Sequence, residues 1–100
     1  MTQYRIRESV RSTHNPDGAI VLELQRGEMF SLNVVGSRIL EMVKSRGELN
    51  EATIAEHISH EFSINREVAA KDVREFLQSL VGHQLIERPT LDVDIEGEFK

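Results

Sequence analysis

The periodicity of this chain changes once, and that change constrains the fold more than any motif. Short segments of alternating apolar and polar residues occupy the first third. Three segments of helical period fill the rest, closing on Val81-Gly82-His83-Gln84-Leu85-Ile86. Strands that come first, rather than alternating with helices, build a small antiparallel sheet against which the helical half then packs. The expected class is α+β. A sheet of this kind keeps an edge open, and an open edge can accept another strand.

The first strand is expected over residues 4–12, with Tyr4, Ile6 and Val10 on one face and Arg5, Arg7 and Arg11 on the other. Asn15-Pro16-Asp17-Gly18 supplies a fixed proline φ and a permissive glycine for the turn that follows. The second strand, residues 19–24, is more uniformly apolar, which suits a central strand. Arg26-Gly27 reverses the chain into a third strand, residues 28–32, with Phe30 and Leu32 on one face and Met29 and Ser31 on the other. If this strand pairs only with the second, its outer edge is free, and that edge is the first candidate site.

Asn33 can cap the first helix, whose apolar residues Val35, Ile39, Leu40 and Val43 recur at helical spacing until Gly47 offers a left-handed stop. Gly36 is a weak point within it. Asn50 can cap the second helix, where Ile54, Ile58 and Phe62 stand four apart. The third helix is expected to start at Asn65, with Ala69, Val73, Phe76, Leu77 and Leu80 as its core stripe, and then to continue or end near Gly82, after which Leu85-Ile86 returns to the core. The whole pattern is that of a winged helix-turn-helix: a small three-stranded antiparallel sheet followed by three helices. The expected domain spans residues 1–88. Residues 89–100 alternate apolar and acidic residues without an evident partner and are expected to form a mobile acidic tail, with an extra strand as the alternative.

A chain of 100 residues with 39% apolar and 29% charged content describes one small domain. Domains near this size bury only about two-thirds of their unfolded surface, which leaves little room for a deep cleft or a large cofactor. A binding module is favoured over an enzyme, and no cofactor is expected. The absence of cysteine excludes disulfides, thiolate zinc sites and cysteine nucleophiles, and fits the reducing cytoplasm. Neither a secretory signal nor a run of ~20 apolar residues is present, so no membrane association is expected.

The net charge is −5. Residues 48–61 carry Glu48, Glu51, Glu56 and Glu61 with no Lys or Arg, and five acidic residues from Glu87 onward face only Arg88 and Lys100. Neither segment favours phosphate. The basic cluster of Arg5, Arg7 and Arg11 is small for a duplex, and the third helix balances Arg66, Lys71 and Arg74 with Glu67, Asp72 and Glu75. Nucleic acid is therefore not expected as a partner, although the scaffold keeps a DNA-binding transcriptional regulator as the alternative function. His57 and His60 stand three apart, unlike the zinc-protease helix with its histidines four apart, and read as exposed helix residues; no metal is expected. No serine has a nucleophile-elbow context, and no glycine-rich phosphate loop occurs.

Several short motifs in order then carry a resemblance. Asp17-Gly18 stands before an apolar strand, Glu28-Met29-Phe30-Ser31-Leu32-Asn33 runs into a helix with Ile39-Leu40, Asp72-Val73 is followed by Phe76-Leu77 and Leu80, and Leu85-Ile86 closes the domain. Over about residues 6–87 this resembles the PqqD family. The chain departs from the family pattern in lacking an aromatic residue after the isoleucine of its first helix, and in having Gly36 where a small helix former is usual.

The resemblance implies a recognition element for ribosomally made, post-translationally modified peptides, of the kind used in pyrroloquinoline quinone, lasso-peptide and radical-SAM pathways. It implies a precursor leader peptide as ligand and a separate peptide-modifying enzyme, a protease or a radical-SAM enzyme, as partner. The leader would add as a strand along Glu28, Met29, Phe30, Ser31 and Leu32, in the groove between the third strand and the third helix. Specificity would then come from side chains flanking that groove. Asp72, Glu75 and Ser79 lie on one flank of the third helix, Arg74 on the other, with Phe76 and Phe30 as pocket walls; periodicity does not say which flank meets the leader. Each apolar member also reads as an ordinary core residue, and the edge could instead be covered by the tail or by a second copy in a homodimer.

Overall fold

The computed structural model describes residues 3–46 and 49–87. The chain forms β1 (Gln3–Ile6), β2 (Val10–Asn15), β3 (Gly18–Glu23), β4 (Glu28–Leu32), α1 (Val34–Arg46), β5 (Leu49–Asn50), α2 (Glu51–Phe62), α3 (Arg66–Gly82) and β6 (Ile86–Glu87). Strands β2, β3 and β4 form an antiparallel sheet in sequence order, and β1 pairs antiparallel with both β5 and β6 in a second, smaller sheet. The α+β class with a three-stranded sheet and three helices is as the sequence predicts.

The first strand is not continuous. It breaks over residues 7–9, so that Tyr4 and Ile6 belong to one sheet and Val10 to the other. The Arg7 N–H donates to the Leu85 carbonyl and the Val10 N–H to the Arg7 carbonyl, a tight turn that redirects the chain. A legible signal was Glu8, a charged residue at the inward parity of the alternation, which an unbroken strand would have buried; it is exposed.

Local chemistry sets the remaining boundaries. The Asn15 side chain accepts the Asp17 N–H at 2.8 Å, and Gly18 follows with φ 148°. A β-carbon at Gly18 would stand 2.1 Å from the Leu32 carbonyl oxygen, so β4 can approach only a glycine there. Asn33 and Asn50 cap the first two helices as expected, and Asn65, where the third was expected to start, is its cap: their side-chain oxygens accept the N–H of Gly36 (2.8 Å), Thr53 (2.8 Å) and Glu67 (2.8 Å). The proposed stop at Gly47 lies outside the described residues, as does the tail.

Helix α3 ends at Gly82, but the left-handed residue of the reversal is Gln84, at φ 64°. The Leu85 N–H returns to the Leu80 carbonyl at 2.9 Å, and this closure carries Leu85 and Ile86 into the core, each 1% exposed. There they meet Tyr4, Leu40, Ile58 and Leu77, all fully enclosed between the helices and the inner face of the sheet. Among the described residues Glu23 is the one carboxylate held in this layer: its oxygens accept the Ser9 hydroxyl at 2.5 Å and the Arg26 N–H at 2.6 Å. The Ser9 hydrogen bond first, and the Arg26 N–H second, hold its carboxyl below the ordinary carboxylate range.

Candidate peptide-binding cleft

The site begins with β4. It pairs with β3 from Ala19↔Leu32 to Glu23↔Glu28, and among the described residues no strand pairs with its other side. Alternation divides its side chains. Phe30 and Leu32 turn inward and are partly buried against the core, whereas Met29 and Ser31 turn outward. An extended row of amide and carbonyl groups is thus presented beside α3.

Both ends of this edge open into surface depressions. At the start of β4 lies one of about 190 Å³, lined by Arg26, Glu28, Gly82, His83 and Gln84. Arg26 makes an ion pair with Glu28 at 3.1 Å and reaches the end of α3, donating to Gln84 Oε1 at 2.5 Å and to the His83 carbonyl. The His83 ring lies 4.9 Å from that of Phe30, tilted by 53°. The turn between β3 and β4 is therefore fastened to the C-terminus of α3, which sets the spacing of strand and helix.

At the far end, where β4 runs into α1, a depression of about 430 Å³ has Val35, Ile39, Ile64 and Phe76 as its apolar lining and Asp72 and Glu75 on its rim. The Phe76 ring sits against Gly36: a β-carbon there would stand 2.9 Å from Cζ of Phe76. The glycine that looked like a weakness in α1 is the space into which a wall of this pocket fits. Asp72 has no ion-pair partner among the described residues, and Glu75 meets only Lys71, at 4.0 Å across exposed solvent, so the rim is net acidic. A polar hollow of similar size, about 450 Å³, lies by the β1–β2 link, away from the β4 edge.

The structure brings Asp72, Glu75 and Phe76 together on the flank of α3 that faces α1, with Ser79 exposed two turns beyond Asp72. It separates Arg74 from them: that guanidinium points to α2, where Nε stands 3.6 Å from Glu51. The sequence reading missed Arg26, His83 and Ile64. A turn arginine and the residue after a helix end carry no periodic signal, and Ile64 reads only as the connection between two helices.

The other cations of α3 are also matched, Arg66 by Glu56 at 3.8 Å and Lys71 by Glu75. Among the described residues, no helix is long and apolar enough to cross a membrane.

This arrangement defines a class: a small α+β domain with an unpaired strand edge beside a partly apolar cleft. Residues 18–86 match the family model of coenzyme PQQ synthesis protein D (PqqD), and the chain belongs to that family. The solved structure of TbiB1 in complex with the TbiA(beta) leader peptide is 35% identical, with a TM-score of 0.75 over 83% of this chain and 94% of that one. Lasso peptide synthetase B1, also complexed with a leader peptide, shares the fold at 20% identity, with a TM-score of 0.73 over 84% of this chain and 96% of that one. So does the PqqD truncation of PqqCD from Methylobacterium extorquens, described as a recognition element for ribosomally synthesized and post-translationally modified peptides, at 17% identity, with a TM-score of 0.69 over 85% of this chain and 88% of that one. A search of curated proteins found no match.

Proposed function

We infer that residues 1–88 form a non-catalytic, cytoplasmic adaptor that binds the leader of a ribosomally made precursor and presents it to a separate modifying enzyme. The observation that carries this reading is the free edge of β4 running directly into the depression bounded by Asp72, Glu75 and Phe76. A leader strand completes the ladder of β4, so main-chain hydrogen bonds supply affinity that is largely independent of sequence. Its inward side chains enter the cleft, where an apolar residue fills the space against Phe76 and Ile39 and a neighbouring Lys or Arg meets Asp72 and Glu75. TbiB1, solved with a leader peptide at 35% identity, supports the same use of the fold here.

The DNA-binding alternative has less support. A major-groove reader needs free cations on its recognition helix, whereas Arg66, Lys71 and Arg74 each stand within 4.0 Å of a carboxylate.

Calorimetry of the purified chain against the leader of any precursor peptide encoded beside it, with duplex DNA as control, tests the reading. Binding at 1:1 with DNA inert is expected. Single N-methylation along the leader backbone should abolish binding at alternate positions only, because every second amide of an added strand faces β4. Losses without that period of two would exclude strand addition, and salt-sensitive binding to DNA alone would make the chain a regulator.

A further inference from the structure

Arg26, Arg38, Arg66 and Arg74 are matched by Glu28, Glu61, Glu56 and Glu51, and Arg11 donates to the Glu8 and Val10 carbonyls. Arg5 and Arg7 differ. Neither makes an ion pair among the described residues, and Nε of Arg7 is buried with no hydrogen-bond partner. A buried donor on a permanently charged group costs free energy until an acceptor reaches it. Both arginines line the polar hollow of about 450 Å³ by the β1–β2 link, together with Glu8, Gln25 and Glu87. The backbone holds them in place there: Arg5 pairs with Glu87 across β1 and β6, and the Arg7 N–H donates to the Leu85 carbonyl at 3.1 Å.

The rim selects the ligand. A guanidinium presents a planar fork that an oxyanion fills with two hydrogen bonds. Glu8 and Glu87 stand on the same rim without pairing with either arginine, so a ligand made only of acceptors, such as free phosphate, meets repulsion from them. A peptide bearing Asp or Glu offers a carboxylate to Arg7 and its own amides to Glu87. Location selects the source. The hollow and the depression at the start of β4 share two walls: the β3–β4 turn gives Gln25 to one and Arg26 to the other, and the segment after α3 gives Glu87 to one and His83 and Gln84 to the other. The tie from Arg26 to Gln84 and the His83 carbonyl joins those walls, so a peptide leaving the Glu28 end of β4 across the tie comes to the hollow. The chain's own acidic tail is less well placed, because β6 pairs Ile86 with Ile6 and then Glu87 with Arg5, and so is heading away from Arg7.

We propose that the Arg5 and Arg7 hollow is a second precursor-binding site, which takes an Asp or Glu carboxylate from the stretch that continues past the Glu28 end of the strand paired with β4. The inference rests on the leader-binding reading and adds to it. Strand pairing supplies affinity with little dependence on sequence, whereas this site reads one negative charge at a set distance from the strand.

The test uses the full chain, the leader of any precursor peptide encoded beside it, and the same peptide with every Asp and Glu changed to Asn and Gln. By calorimetry the wild type should bind the amide peptide ~10-fold more weakly than the native one, and Arg7→Gln should bind the two alike. Arg7 is half-buried, so Arg5→Gln, at an exposed position, serves as a second variant and should narrow the difference in the same direction. In NMR spectra the Arg7 Nε–H signal should move with the native peptide and stay in place with the amide one. Equal wild-type affinity for the two peptides, a stationary Arg7 signal, or a bound leader that carries no Asp or Glu would overturn the second site and leave strand addition standing. So would an Arg7 signal that moves when Asp92, Asp94, Glu96 and Glu98 of the chain itself are changed to amides, since the ligand would then be the tail. A wild-type chain that binds neither peptide would overturn the leader-binding reading, and this inference with it.

Discussion

Gly36 in α1 lies directly beneath the ring of Phe76 in α3, so close that a β-carbon there would stand 2.9 Å from Cζ. Gly36→Ala therefore sets two effects against each other. Helix propensity favours alanine by about 1 kcal/mol, while the Phe76 ring must swing away from α1. Thermal unfolding should place the variant within about 1 kcal/mol of wild type, whereas leader affinity by calorimetry should fall ~10-fold, because the ring moves into the pocket. Affinity equal to wild type would mean that the leader does not use this wall.

Arg26 fastens the β3–β4 turn to the end of α3 through Gln84 and the His83 carbonyl. These contacts are at the surface, so Arg26→Ala should lower global stability by only about 1 kcal/mol. Locally the effect should be larger: β4 amides and the Leu85 N–H should exchange with deuterium faster than in wild type, while the exchange of Ile58 and Val73 amides stays fixed. Uniform acceleration would mean that the tie supports the whole fold rather than the cleft.

Asp72 and Glu75 make the cleft rim acidic. Asp72→Lys should weaken a leader carrying Lys or Arg beside its apolar anchor by ~10-fold at low salt, and the difference should shrink as ionic strength rises. Circular dichroism should show unchanged helix content, since the residue is exposed. A leader affinity indifferent to this reversal would move specificity elsewhere on the edge.

Glu23 has its carboxyl held below the ordinary value of 4.5, chiefly by the Ser9 hydroxyl. Ionised Glu23 therefore stabilises the folded state fully at pH above 4.5, and this contribution disappears as pH falls through the lowered native value. In Ser9→Ala the native value moves back toward that of the unfolded chain, so stability measured by urea unfolding should vary less between neutral and acid pH. Glu23→Gln should remove that part of the pH dependence altogether. An acid limb as steep in Ser9→Ala as in wild type would exclude the hydroxyl as the cause.

The elements legible in the sequence were those whose signals are local. Asn33, Asn50 and Asn65 each had to satisfy amides at a helix start. Asn15-Pro16-Asp17-Gly18 had to turn, and the inward parity of Phe30 and Leu32 followed from the two-residue period of a strand. The family resemblance added the expected ligand and its route along β4. The break after Ile6 had one local mark, the charged Glu8 at an inward position of an otherwise regular alternation from Tyr4 to Val10, across which the chain passes from one sheet to another.

Sequence by itself thus determined the order of strands and helices, their caps, the inward faces and the acidic balance, all set by interactions within a few residues. Tertiary structure decided which flank of α3 joins the cleft. Periodicity places Asp72 and Arg74 on opposite sides of one buried stripe, and only the packing of α3 between α1 and α2 turns Asp72 to the pocket and Arg74 to Glu51. It also decided that, among the described residues, the apolar strand β3 is covered on one face alone, since no local pattern records whether a second layer arrives.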